Sequence, residues 1–221
     1  MAPRDSSGIF GVVALTRRRI KPDTLLAAGM VTGTTAQILA FFDALASAHT
    51  YIDVVQRTLT ILSELGMSET KCESTVATTL VAGTDHQGAV VLPGDNLEAF
   101  HAWPGYLIAH QSFPPASKER NKPCKQLRLA TECDKACKAA YTNRSLFVTV
   151  EGQLGLGPQV SDVEDAVAVL WGCIYAVVLR GLRGTDEYAV LGTAYVEGLM
   201  HGEAIEGDQM VLKEAQGFNL R

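Results

Sequence analysis

The apolar residues of this chain change their spacing close to residue 143, and that change limits the folds open to it. Upstream, a stripe recurs at steps of three and four residues, through Ile52, Val55, Leu59, Leu62 and Leu65. This spacing predicts an amphipathic helix of about four turns. Downstream, short β-rich runs alternate with tight turns. The sequence therefore predicts an α+β fold class, with an N-terminal helical region followed by strands.

Local signals indicate where the helices begin and end. Gly66 stands at a position typical of a C-cap glycine, and Ser68 is a suitable N-cap for a helix that runs to about Val81. Further helices are predicted over Leu97–Ile108, interrupted by Pro104, and over Lys125–Tyr141. A further helix, with Thr34 or Thr35 as its cap, is predicted from the apolar stripe Ile38, Phe41, Phe42, Leu45 and Ala46.

The region after residue 143 contains five candidate strands. They are Leu146–Val150, Leu154–Pro158, Ala166–Trp171, Tyr175–Leu179 and Glu187–Val196. Strands this short cannot bury a face alone, so a small antiparallel β-barrel is predicted. A single helix over Ala166–Leu179 is the competing interpretation, because short apolar runs are ambiguous. Gly172 and the valine content favour strands.

These patterns divide the chain of 221 residues into four parts. The predicted parts are a flexible N-terminal segment (1–33), a helical region (34–142), a small β-barrel (143–206) and a C-terminal tail (207–221). The apolar content of 47% is high enough to exclude a disordered chain.

Charge argues against a dedicated nucleic-acid binder, because the formal net charge is −5. Residues 1–149 hold 15 Lys/Arg and 13 Asp/Glu, whereas residues 150–221 hold 4 and 11. Residues 117–144 carry eight basic and three acidic side chains, a run that could dock an acidic partner or RNA. A solvated helix face is the favoured interpretation, because no aromatic residues interleave with these basic side chains. Such aromatic residues are common in proteins that bind single-stranded nucleic acid.

Cysteine usage and hydropathy indicate a cytoplasmic protein without a membrane span. The five cysteines are too few, and odd in number, for a secreted disulfide scaffold. Cys133 and Cys137 lack zinc-ligand spacing and are predicted to be two thiols one helical turn apart. The segment Thr24–Phe42 is interrupted by polar residues, and Ala166–Leu179 is shorter than the roughly 20 residues that a span requires.

A family resemblance is carried by the residues from Arg144 onward. The run Arg144–Thr149, then Gly152 and Leu154–Pro158, resembles the start of the C-terminal barrel region of fungal heterokaryon incompatibility (HET) proteins. The match continues through the following residues: Asp165, Val167, Val169, Leu170, Gly172, Val178–Arg180, Tyr188, Leu191, Gly192, Ala194–Val196, Gly198, Met200 and Gly202–Ala204. The resemblance implies a helical linker plus barrel, in a context of allorecognition leading to programmed cell death. Family members usually carry an N-terminal HET domain, for which residues 1–30 hold no counterpart.

The chain departs from the family pattern at several turns. Glu164 stands where the family usually has glycine, and Ala176-Val177 replaces a common proline. Glu197 stands where histidine is common, and His201 where aspartate is common. These departures change the turn chemistry and any surface role of those positions.

No sequence motif indicates catalysis. A nucleophile elbow, a P-loop and a complete dinucleotide fingerprint are all missing from the sequence. We therefore expect no enzyme and assign no catalytic, cofactor-binding or metal-binding residue. The leading hypothesis is a non-catalytic interaction or regulatory module with protein partners. Two alternatives stay open: an enzyme with a site near His201 and Glu203 (with Asp208, or using Cys173 with a histidine), and a truncated paralogue without retained function.

Overall fold

The computed structural model describes residues 25–41, 47–112, 124–200 and 216–221. Within them the fold is mixed α+β, with helices and a largely antiparallel sheet. The helices are α1 (Ala48–Glu64), α2 (Glu69–Leu80), α3 (Leu97–Ser112) and α4 (Lys125–Tyr141). The strands are β1 (Leu25–Phe41), β2 (Arg144–Thr149), β3 (Leu154–Pro158), β4 (Ala166–Leu170), β5 (Ala176–Gly181), β6 (Glu187–Val196) and β7 (Gln216–Leu220).

The strand pairings return to their starting point. β1 pairs with β2, and from β2 the pairs continue through β3, β6, β5 and β4 back to β1. β7 lies antiparallel to the beginning of β1 and parallel to the beginning of β6. Closed pairing of this kind leaves few unpaired edges, which in an open sheet invite aggregation.

The β4–β5 hairpin is buried on both of its faces. Val167 and Val178 belong to an apolar cluster with Phe147, whereas Ala168 and Leu179 belong to another cluster with Phe218. A strand with two buried faces shows an unbroken apolar run in place of alternation. This arrangement confirms strands at this position and excludes the competing helix over Ala166–Leu179.

The helices cover one face of β2 and β3. Leu146 and Leu156 share an apolar cluster with Trp103 of α3 and Tyr141 of α4, while Phe147 faces the opposite side. Trp103 is almost fully buried, and its indole Nε1 donates a hydrogen bond to Asp134 at 3.2 Å. The Asp134 carboxylate also accepts from Lys138 Nζ at 2.7 Å, so the buried acid is paired.

Most predictions for the middle of the chain are confirmed, because α4, β3 and β6 have the predicted bounds. The interruption expected at Pro104 is wrong, since α3 continues through Pro104 to Ser112. Gly66, with φ +84°, follows the end of α1 in the left-handed conformation. Ser68 is the N-cap residue of α2, although its side chain makes no capping hydrogen bond.

The predictions for the two ends of the chain are wrong where the structure describes them, and residues 1–24 and 201–215 lie outside the described residues. β1 includes residues 25–33, which were expected to be flexible. It continues through Phe41, where a helix beginning at Thr34 or Thr35 was expected. Residues 216–220 of the expected tail form β7. The pairing partners of β1 are 100 or more residues away in sequence, so its local pattern carries little signal. Residues 42–46 of the expected helix lie outside the described residues.

A buried ion pair fixes the loop that leads into β4. The Asp165 carboxylate, 3% exposed, accepts from Arg180 Nε and Nη2, both at 2.7 Å, and from the Asp162 amide at 2.7 Å. Arg180 Nη2 also donates to the Val160 carbonyl oxygen at 2.9 Å. The hydrogen bond to Asp165 raises the pKa of the Arg180 guanidinium. The pair therefore joins the β3–β4 loop to β5.

Glu164, next to this pair, adopts a left-handed backbone with φ +73°. Replacing it with glycine is expected to raise the free energy of unfolding by about 0.5–1 kcal/mol, because an L-residue there costs ~1–2 kcal/mol and glycine returns part of that in chain entropy. Chemical denaturation measures the change. Val163→Gly, at the adjacent residue, is the control and should destabilise; a loss of stability in Glu164→Gly would contradict the expectation.

Gly155 lies under the Phe147 ring, where a Cβ would stand 2.4 Å from the ring carbon Cζ. Gly155→Ala is expected to lower the free energy of unfolding by about 1–3 kcal/mol, the usual cost of overpacking a core. Gly181→Ala is the matched control, because its Cβ would meet no atom nearer than 3.9 Å. Equal stability of the two variants in urea would show that the Phe147 contact is not restrictive.

Candidate functional site

The candidate site is a groove of about 510 Å³ between the loop after α2, the β4–β5 turn and the strands β2 and β6. We call it the Arg144 groove. It is lined by Ala82, Gly83, Thr84, Val90, Arg144, Ile174, Tyr175, Thr193, Ala194, Tyr195 and Met200. Its volume lies within the range of ligand pockets, about 300–1,000 Å³.

One wall of the groove is built by the loop that follows α2. Ala82 and Gly83 are both left-handed, with φ +49° and +66°, and the Gly83 amide donates to the Thr78 carbonyl oxygen at 3.0 Å. A Cβ on Gly83 would lie 2.6 Å from the Tyr195 ring. Glycine therefore serves both the turn and the close approach to β6. The loop returns through an antiparallel bridge between Thr84 and Val90.

The lining of the groove includes a guanidinium. Arg144 opens β2, directly after the left-handed Asn143, and its Nη1 donates to the carbonyl oxygens of Thr193 at 3.2 Å and Leu156 at 3.5 Å. The pairing between β3 and β6 ends at Leu156 and Tyr195. The two carbonyl oxygens that accept from Arg144, those of Leu156 and Thr193, lie at this end of the paired segment. Arg144 is the single residue with a full charge among those that line the groove.

The rim of the groove is apolar and exposed. Ile174 and Tyr175, in the turn between β4 and β5, are 79% and 53% exposed, and Val90 on the opposite wall is 64% exposed. Gly172, with φ +84°, makes the turn possible. Apolar side chains gathered at the mouth of a groove are typical of a binding surface.

The lining residues include no carboxylate, imidazole or thiol. The groove can therefore bind a ligand through apolar contacts and one cation, but its lining supplies no general base near neutral pH. Cys173 lies in the exposed β4–β5 turn outside the lining, and within the described segments no hydrogen bond joins it to a histidine. His201, Glu203 and Asp208 lie outside the described residues, so the alternative site near them stays a prediction.

The cysteines of α4 are buried, as two thiols one turn apart. The Sγ atoms of Cys133 and Cys137 lie 3.9 Å apart, and both cysteines are free. Burial raises the pKa of the Cys137 thiol well above its usual value, so it is protonated at neutral pH. Across the described parts of the chain, no group of three or more His, Cys, Asp or Glu side chains is arranged to hold a metal ion.

Thiol accessibility is predicted from this burial. Cys124 and Cys173 are exposed, whereas Cys72, Cys133 and Cys137 are buried. A disulfide reagent such as Ellman's is expected to modify two thiols rapidly in the native protein and all five after denaturation. Rapid modification of a third thiol under native conditions would contradict the buried placement of Cys72, Cys133 or Cys137, and peptide mapping of the modified chain identifies which.

Asp85 holds together the 85–89 turn in the loop after α2. Its Oδ1 accepts from the Ala89 and Gln87 amides, both at 2.8 Å, and these hydrogen bonds lower the pKa of the carboxyl below its usual value. Because the pKa is lower in the folded state, the ionised carboxyl stabilises the fold fully at pH values above the pKa of the unfolded chain. This stabilisation is lost as the pH falls through the pKa of the folded state.

The 85–89 turn is therefore expected to open below about pH 4, which is the unperturbed pKa of an aspartate, because the protonated Asp85 accepts these hydrogen bonds less well. Amide NMR signals of Gln87 and Ala89 should shift and exchange faster there. Asp85→Asn should remove the transition, and a turn that opens equally in both proteins would assign the effect to another group.

Sequence reasoning did not identify the Arg144 groove. Arg144 and Tyr195 were noted only as residues of the family resemblance. The one signal available in the sequence was the exposed-turn pattern Gly172-Cys173-Ile174-Tyr175, in which apolar residues follow a turn glycine. The carbonyl groups that Arg144 contacts belong to residues 12 and 49 positions away.

Comparison with known proteins points to one family. Residues 104–211 match the model of the Het-6 beta-barrel domain. A relative from Neurospora crassa, heterokaryon incompatibility protein 6 (OR allele), is 28% identical over 110 residues, which cover 46% of this chain and 15% of the relative. This chain thus corresponds to a small part of that protein. No solved structure matches significantly. Among the described helices, none has the length and apolar character needed to cross a membrane.

Proposed function

We propose that this chain, whose residues 104–211 carry the Het-6 beta-barrel domain of fungal heterokaryon incompatibility proteins, is a non-catalytic interaction module. The proposal includes its fold: we infer that the closed circuit of strand pairings is the small antiparallel barrel for which the family domain is named. It also includes the context, which is recognition of a protein partner in the cytoplasm during non-self recognition that leads to programmed cell death.

The Arg144 groove is the observation that carries the proposal. Ile174 is 79% exposed at its rim, and an aliphatic side chain in water gains free energy when a partner covers it. The lining offers apolar contacts and a cation without an acid–base pair. These properties suit binding better than chemical conversion of a substrate.

The test compares two exposed aliphatic residues. Ile174→Asp places a charge at the groove rim, and Val160→Asp places the same charge on the β3–β4 loop, where Val160 is 62% exposed. Each variant and the native protein are immobilised and exposed to fungal extract, and retained proteins are quantified by mass spectrometry. We expect at least one protein to be retained by the native chain and by Val160→Asp and to be reduced about tenfold by Ile174→Asp, because a desolvated charge costs several kcal/mol.

The outcome that contradicts the proposal is equally defined. If native protein and Ile174→Asp retain the same proteins in the same amounts, the groove is not the interaction surface. If the native chain retains nothing specific, the alternative of a paralogue without retained function is favoured. Thermal unfolding of both variants establishes that each remains folded.

A further inference from the structure

We infer that the Arg144 groove accepts an apolar peptide segment that bears one carboxylate, which pairs with the Arg144 guanidinium. The inference rests on the proposed function and deepens it, because it names the chemistry of the partner. The occupant is a segment of another protein, recognised by apolar side chains on either side of an Asp or Glu residue.

The first argument is the unused hydrogen-bonding capacity of Arg144. A guanidinium has five N–H donors in a planar fork. Nη1 of Arg144 is occupied by two carbonyl oxygens, and Nε and Nη2 have no acceptor among the residues that the structure describes. This free edge is the one that binds a carboxylate with two parallel hydrogen bonds.

The second argument comes from comparison with Arg180, the other half-buried arginine of the β-structure. Arg180 has a buried carboxylate partner in Asp165, whereas the ion pairs of the described residues include none with Arg144. Neutral carbonyl groups solvate a cation without neutralising it. A carboxylate from a partner would complete at Arg144 the arrangement that Asp165 completes at Arg180.

The third argument is that nearby acids are already engaged. Glu197 accepts a hydrogen bond from the Tyr195 hydroxyl, and Asp85 accepts from amides of its own turn. Residues 150–221 hold an excess of seven acidic side chains, which opposes anions at long range. At moderate salt, the repulsion between these acidic side chains and an anion is largely screened at separations beyond about 10 Å. An ion pair in direct contact is screened much less. A single carboxylate held by contact is therefore favoured over a polyanion.

The fourth argument is the apolar rim. Val90 on the loop after α2 and Ile174 and Tyr175 on the β4–β5 turn are exposed, and Ala194 and Met200 are further apolar residues of the lining. An inorganic anion or a free amino acid would leave this rim uncovered. A peptide segment uses the cation and the rim together.

The experiment selects ligands without assuming a sequence. A random heptapeptide library displayed on phage is selected against the full chain, and the best peptide is synthesised together with its Glu→Gln or Asp→Asn analogue. We expect selected peptides to place an acidic residue between apolar ones. The amide analogue should bind about tenfold or more weakly, since a charge-assisted pair is lost.

Protein variants assign the effect to Arg144. Arg144→Gln should weaken the acidic peptide to the level of its amide analogue, whereas Arg183→Gln, at an exposed arginine outside the groove, should leave affinity unchanged. If selection yields no peptide, yields peptides without a carboxylate, or yields peptides that bind Arg144→Gln as tightly as native protein, the inference is overturned. Loss of extract proteins in Ile174→Asp would still support the proposed function, so the two failures are distinguishable.

Discussion

The β-structure depends on the pairing of β1. Its middle and later residues lie beside β4 and β2, and its first residues lie beside β7, so one strand of 17 residues satisfies the edges of three others. Unpaired backbone groups at a sheet edge must otherwise face water or another chain. Gly29 makes the pairing with β4 possible, because a Cβ there would stand 2.4 Å from the backbone carbonyl oxygen of Val169.

The position of the groove follows from this arrangement. The β4–β5 hairpin is buried on both faces, so its turn is the part that projects, and the turn carries Ile174 and Tyr175 outward. The helices cover β2 and β3, and the loop after α2 ends against Tyr195. The Arg144 groove therefore lies where the loop after α2 approaches β6, and both the helical region and the strands contribute residues to it.

The sequence predicted the elements whose signals are local. Lys125–Tyr141 and Leu154–Pro158 were identified with correct bounds because helix periodicity and turn residues act over a few positions. β1 was missed because its alanine, glycine and threonine residues are selected by contacts with partners 100 or more positions away. The left-handed backbone of Glu164 was anticipated only as a departure from a family glycine. The free edge of Arg144 depends on side-chain orientation, which periodicity does not report.

The register of β1 also constrains how the chain is made. Leu25 lies opposite Leu220, so the first residues of β1 gain their β7 neighbour only after residues 216–220 have been synthesised. Until then residues 25–29 of β1 lack the strand that pairs with them on that side. The helices between the two strands have local backbone hydrogen bonds and can already form. The pairing of β1 with β7 is therefore expected to form late, after the residues between the two strands have been synthesised.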